Sequence, residues 1–175
     1  MKIDNNIVEK AEKERTTQAT APIEKRGSSD KTSSVNGLYK LLADSYALLI
    51  KTHNYHWNAT GPNFYSFHKL TEEKYTELFT SIDDIAEKVR SLGEKVPASM
   101  KHFNDLSDVV EPNFQLSIND MILDIVHTNK AIARDVQKMI PNFESSGRKD
   151  IVDFLTARLS WHSKTEWLFK SMLMA

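Results

Sequence analysis

Among the side chains between positions 68 and 87 that can hold a hard or borderline metal ion, four fall into two evenly spaced pairs: His68, Glu72, Asp83 and Glu87. His68 and Glu72 are four residues apart, as are Asp83 and Glu87, so on a helix each pair shares a face. The step from Glu72 to Asp83 returns to within about 20° of the same azimuth, at about 100° per residue. All four therefore lie on one stripe. An acidic stripe by itself is ordinarily a solvated face. This one includes a histidine, and a second, His56, lies just across the Gly61-Pro62 break. Tyr65, Phe67, Tyr75 and Phe79 surround it, an unusual setting for a surface built only to be wet.

Distance limits how these groups can cooperate. Glu72 and Asp83 stand roughly 16 Å apart along a helix axis, whereas carboxylates bind metals at about 2 Å. One chain cannot close both pairs on one ion. The inward-facing Glu-x-x-His of di-iron helix bundles is also absent from the sequence. If two copies pack antiparallel about a two-fold axis, His68 and Glu72 of one meet Asp83 and Glu87 of the other, and symmetry generates two identical sites per dimer.

Long helices must carry this stripe. After a cap at Ser33 or Ser34, apolar and small residues from Leu38 to His56 recur at three- and four-residue steps, predicting a first helix that stops at Gly61-Pro62. A second runs from near Asn63 through Leu78, Ile82, Ile85 and Val89 to Gly93. Residues 94–116 contain Pro97 and Pro112 and lack sustained periodicity, with room for a short helix. A third helix is expected from Ser117 to Pro141 and a fourth from near Ser146 to the chain end. The links between the first two and last two helices are short, and the middle one is long. A long link lets its flanking helices run parallel, which predicts an all-α, ferritin-like four-helix bundle.

Composition narrows the function classes. With no cysteine among 175 residues, disulfides, zinc fingers and thiol catalysis are excluded. No apolar run approaches the roughly 18 residues of a membrane span, and the first fifteen residues lack the apolar core of a secretory signal, so a soluble, cytoplasmic protein is expected. Lys plus Arg total 23 against 24 Asp plus Glu, which gives no global basic field for nucleic acid. Residues 1–33 contain no aromatic residue and few large apolar ones, and read as a flexible polar tail preceding a domain over 34–175.

The run HNYHWNATGPNFYSFHKLTEEKY, followed by DDIAEKVRSLG, resembles Dps, the DNA-protecting proteins of starved cells within the ferritin superfamily. The family pattern is met at His56-Trp57-Asn58, Gly61-Pro62-Asn63-Phe64, His68, Glu72, Asp83, Ile85-Ala86-Glu87, Arg90 and Leu92-Gly93. The likeness covers about residues 35–173, including Lys164 and Trp167. It implies a twelve-subunit shell with iron sites at the two-fold interfaces. Each site would take His56, His68 and Glu72 from one subunit and Asp83 and Glu87 from its partner. Position 72 more often carries Asp in the family; Glu has the same charge and a longer reach. The implied activity is that of a ferroxidase: Fe(II) is oxidised to Fe(III), hydrogen peroxide being the preferred oxidant, and ferric mineral is stored inside. Such a reaction protects the cell and its DNA from oxidative damage. Trp57, beside the ligands, would either donate electrons to stray oxidants or pack in the core.

Several other groups carry weaker signals. His53 sits one turn before His56 and matches no ligand of the family, so a structural or surface role is expected. His162 and Glu166 read as a helix-surface pair. Asp120, Asp124 and Asp135 return to one face of the third helix, either as a solvated face or as acids lining a cation-conducting pore. The contrasting function is a non-enzymatic, nucleoid-associated DNA-binding protein acting through Lys2, Lys10, Lys13, Arg15, Lys25, Arg26 and Lys31. Interspersed acids leave that tail a net charge of only +1.

Overall fold

A computed structural model describes residues 29–173, with side chains described from Ser34 onward. Most of the predicted tail, with six of its seven basic residues, lies outside the described residues. Five helices follow in order: α1 (Ser29–Asn58), α2 (Phe64–Ser91), α3 (Met100–Leu106), α4 (Ile118–Ser145) and α5 (Lys149–Ser171). The chain is all-helical among the described residues, as expected, and α3 is the short helix for which the long connection had room.

The antiparallel pairs α1/α2 and α4/α5 pack most extensively, and α1 also packs on α4 and α3. Two apolar clusters fill the interior. The larger includes Leu38, Leu42, Leu78, Ile85, Val136, Ile151 and Leu155. The smaller gathers Tyr55, Phe67, Met121, Ile122, Ile125 and Phe169 at one end. That end cluster reveals the topology. It contains the start of α2 (Phe67) and the start of α4 (Ile118), so these helices begin together and run parallel, as the long link predicts.

The link is tied down on its way across. Ser99 caps α3, its Oγ accepting from the His102 amide, and Phe103 stacks on Tyr46 of α1 with ring centroids 4.3 Å apart. Buried Asp44 accepts hydrogen bonds from Ser107 Oγ at 2.8 Å and the Asp108 amide at 3.1 Å. A buried carboxylate bonded in this way fixes a loop that has no regular ladder of its own.

Three boundaries differ from expectation. Helix α1 starts at Ser29, before the anticipated cap at Ser33 or Ser34. Helix α5 starts at Lys149 rather than near Ser146, because the chain turns through Gly147 at φ 71. Pro141 does not end α4, which continues to Ser145. Proline removes one N–H, whose partner would be the Gln137 carbonyl. Both Pro141 and Gln137 are on the exposed side, so that carbonyl is open to solvent and the helix passes through.

Candidate metal centre

The turn between α1 and α2 brings the two histidines together. Gly61 adopts φ 106 and Asn63 φ 66, conformations that glycine and asparagine tolerate better than other residues. The Phe64 amide bonds the Gly61 carbonyl at 3.2 Å, and the Phe67 amide bonds the Asn63 carbonyl at 3.0 Å, so α2 starts directly out of the turn. His56, on the last turn of α1, then faces His68, on the first turns of α2.

Their rings stack with centroids 3.7 Å apart and planes inclined at 17°. Each is held by the other's backbone: His56 Nδ1 lies 3.0 Å from the His68 carbonyl, and His68 Nδ1 lies 3.1 Å from the His56 carbonyl. A carbonyl oxygen only accepts, so both Nδ1 atoms carry a proton, and Nε2 is the nitrogen whose lone pair the neutral ring presents. This is the tautomer a metal requires of a histidine whose other nitrogen is anchored.

Glu72 stands one turn beyond His68, its carboxylate 2.8 Å from Lys69 Nζ. The Lys69 ammonium holds the Glu72 carboxyl below the usual carboxylate range. Burial holds His56 below the ordinary histidine value, outweighing the hydrogen bond to the His68 carbonyl and the Glu72 carboxylate, which pull it up. At neutral pH the pair therefore presents a neutral imidazole beside an ionised carboxylate, the protonation states that metal binding needs. This donor set fits iron: imidazole suits Fe(II), and carboxylate suits the harder Fe(III).

Asp83 and Glu87 are exposed further along α2. Among the described residues, no three His, Asp or Glu side chains of one chain gather into a metal site. Phe67 is turned from the stripe into the core, 6.1 Å from Phe169, whereas Tyr65 and Phe79 remain in solvent. Trp57 is 71% exposed and stacks on His53 at 5.2 Å, so in the single chain it is not a core residue. His53 also touches Tyr75, 4.2 Å between centroids, and makes the aromatic packing contact of a structural residue.

The remaining candidates separate. Asp124 accepts from buried Lys51 at 2.8 Å and from the Tyr55 hydroxyl. Asp135 pairs with Lys40 at 3.1 Å and Lys138 at 2.9 Å. Asp120 is exposed at the start of α4, bonded to Ser117. The three thus share no free acidic face, since lysines engage two of them. The expected His162–Glu166 pair does not form: His162 is buried against Asn129 (2.8 Å), while Glu166 pairs with Lys170 and Lys130. Sequence reasoning missed Lys69 and Thr71; the latter's hydroxyl lies 3.1 Å from His56 Nδ1. Nothing in the sequence marked a threonine on the buried side of α2 as part of a site.

Comparison with known proteins bears on the fold and the family. The Ferritin-like domain family matches residues 35–175. A low temperature-induced protein of Nostoc sp. is 35% identical over 79% of each chain. DNA protection during starvation protein 2 of Bacillus anthracis is 30% identical over 78% of this chain and 93% of its own length. The crystal structure of a Dps protein from Bacillus brevis superposes with a TM-score of 0.80 at 26% identity, covering 85% of this chain and 99% of that one. With its fold, its paired histidines and these relatives in agreement, the chain belongs to the Dps family of ferritin-like proteins.

Proposed function

We propose that this protein is a ferroxidase that sequesters iron, with hydrogen peroxide as oxidant and the ferric product stored as mineral in a hollow oligomeric shell. The observation that carries the reading is the mutual clasp of His56 and His68, which leaves two Nε2 lone pairs beside Glu72 and no further ligand from the same chain. Asp83 and Glu87 of a second copy complete the set.

Helix α2 is suited to that pairing. The pairs His68/Glu87 and Glu72/Asp83 are both centred between Glu77 and Leu78, so one antiparallel register satisfies both. Between the His68/Glu72 and Asp83/Glu87 pairs the exposed stripe carries Thr76, Phe79 and Thr80, all uncharged, with Phe79 66% exposed. A face meant only for water would carry charge there. Beside Asp83, a cleft of about 420 Å³ has apolar walls that include Leu42, Tyr46, Val96 and Phe103. An apolar hollow next to half a metal site is a surface suited to a second copy.

In the reaction, two Fe(II) ions give up one electron each. One peroxide accepts both, its O–O bond breaks, and water supplies the remaining oxygen of the ferric oxyhydroxide while protons are released. The neutral imidazoles hold Fe(II) weakly enough to hand it on, and the carboxylates favour the oxidised ion. Consuming Fe(II) and peroxide together suppresses hydroxyl-radical formation, which protects DNA without any contact with it. Trp57, exposed beside the histidines, is available to reduce oxidants that escape.

The test is Fe(II) titration with peroxide on wild type and on His56→Ala/Asp83→Ala, following ferric absorbance. The double variant should lose nearly all of the fast oxidation phase. An unchanged rate would overturn the assignment.

A further inference from the structure

The hydroxyl of Thr71 has a role beyond its own helix. Its first bond is commonplace: Oγ1 donates back to the Phe67 carbonyl at 2.8 Å, with the His68 carbonyl at 2.9 Å. Threonines inside helices often do this and gain no function by it. What distinguishes Thr71 is that the same oxygen accepts from another helix. His56 Nδ1 lies 3.1 Å from Thr71 Oγ1 and 3.0 Å from the His68 carbonyl, and Thr71 is fully buried. The His56 N–H is thus shared between two acceptors. A single carbonyl lets an imidazole pivot about the hydrogen bond, whereas two acceptors in different directions fix the ring plane. Among the described residues His68 has no such second acceptor; its Nδ1 bonds the His56 carbonyl at 3.1 Å.

We propose that Thr71 is a positioning residue of the metal centre, its hydroxyl orienting the His56 ring so that Nε2 is offered to the ion in one fixed direction. The inference rests on the reading of His56 as a ligand. Groups that orient a ligating histidine change metal affinity by about 10- to 100-fold when removed. The His68 carbonyl still holds His56 in the variant, which places the expected effect near the lower end.

The experiment uses the full-length assembled protein without iron, titrated with Co(II) and read by its visible absorption bands. Thr71→Val keeps the shape and deletes the hydroxyl; it should weaken Co(II) about 10-fold and alter the band envelope. Thr71→Ser retains the hydroxyl and should restore both. Thr71→Ala provides a second hydroxyl-free variant if the valine form does not fold, with thermal unfolding of each apo protein as the check. Wild-type affinity and bands in Thr71→Val, with binding lost in His56→Ala, would overturn the positioning role and leave the site intact. A serine variant as weak as the valine one would overturn it too, because packing of the methyl would then be the cause. If wild type and His56→Ala bind Co(II) alike, the site reading itself fails.

Discussion

At the scale of single residues, the ionisable groups fall into those of the proposed metal centre and those that only support the fold. Buried His56 and half-buried Glu72 belong to the first kind. His162 belongs to the second: it is buried on α5, donates from Nδ1 to Asn129 Oδ1, and has no partner at Nε2. Burial, with nearby Arg158 adding to it, pushes its pKa down to about 3. The folded form therefore resists a proton that the unfolded chain accepts below about 6.5. Stability from this source is fully present above that pH and is lost as pH falls towards 3, on the order of 3 kcal/mol by pH 4. Urea unfolding at pH 7 and pH 4.5 should show a steep loss for wild type and a shallower one for His162→Gln. The sequence disclosed the i, i+4 spacing of His162 and Glu166 but not their partners. Spacing says which residues share a face, and only packing says whether that face meets water.

At the scale of elements, α1 and α4 approach closely where α1 is thinnest. A Cβ added at Gly37 would sit 2.4 Å from Met139 Sδ and 2.9 Å from its Cγ. Replacing a helical glycine by alanine ordinarily stabilises by up to about 1 kcal/mol, but overpacking a core typically costs about 1–3 kcal/mol. Met139 is itself buried, so the clash outweighs the propensity gain. Gly37→Ala should lower the melting temperature by a few degrees, and adding Met139→Val should recover most of the loss. A stabilised single variant would show that Met139 moves aside freely. The same scale explains why periodicity located the four long helices well and their ends less well. Apolar spacing records the buried stripe, whereas a helix end depends on local capping. At Pro141 it depends on whether the displaced carbonyl can reach water.

At the scale of the whole molecule, a site divided between subunits makes a quantitative prediction. One variant, His56→Ala/His68→Ala, lacks the imidazoles; another, Asp83→Ala/Glu87→Ala, lacks the acids. Each alone should be inactive. In dimers formed at random from equal amounts, about half pair one variant with the other, and each such hybrid contains one intact site and one left with Glu72 alone. Co-refolded mixtures should therefore regain about a quarter of the wild-type oxidation. No recovery would mean that the ligands of one site come from a single chain. The exposed aromatic residues Trp57, Tyr65 and Phe79, on α1 and α2, and Trp167 on α5 are surface that the proposed assembly would cover.

The sequence by itself determined the four long helices and the parallel course of α2 and α4, and it is the source of the proposed metal stripe and its division into two halves. These follow from the period and rise of a helix, and 16 Å of rise cannot be closed within one chain. Tertiary structure alone decided which ring nitrogen each histidine offers, because the Nδ1 bonds cross between helices to carbonyls that have no residue type. It also decided that Asp124 and Asp135 are tied to lysines of α1, that Trp57 stands in solvent, and that Thr71 reaches His56. Each of these depends on how two helices approach one another, and a pattern along one helix carries no record of that.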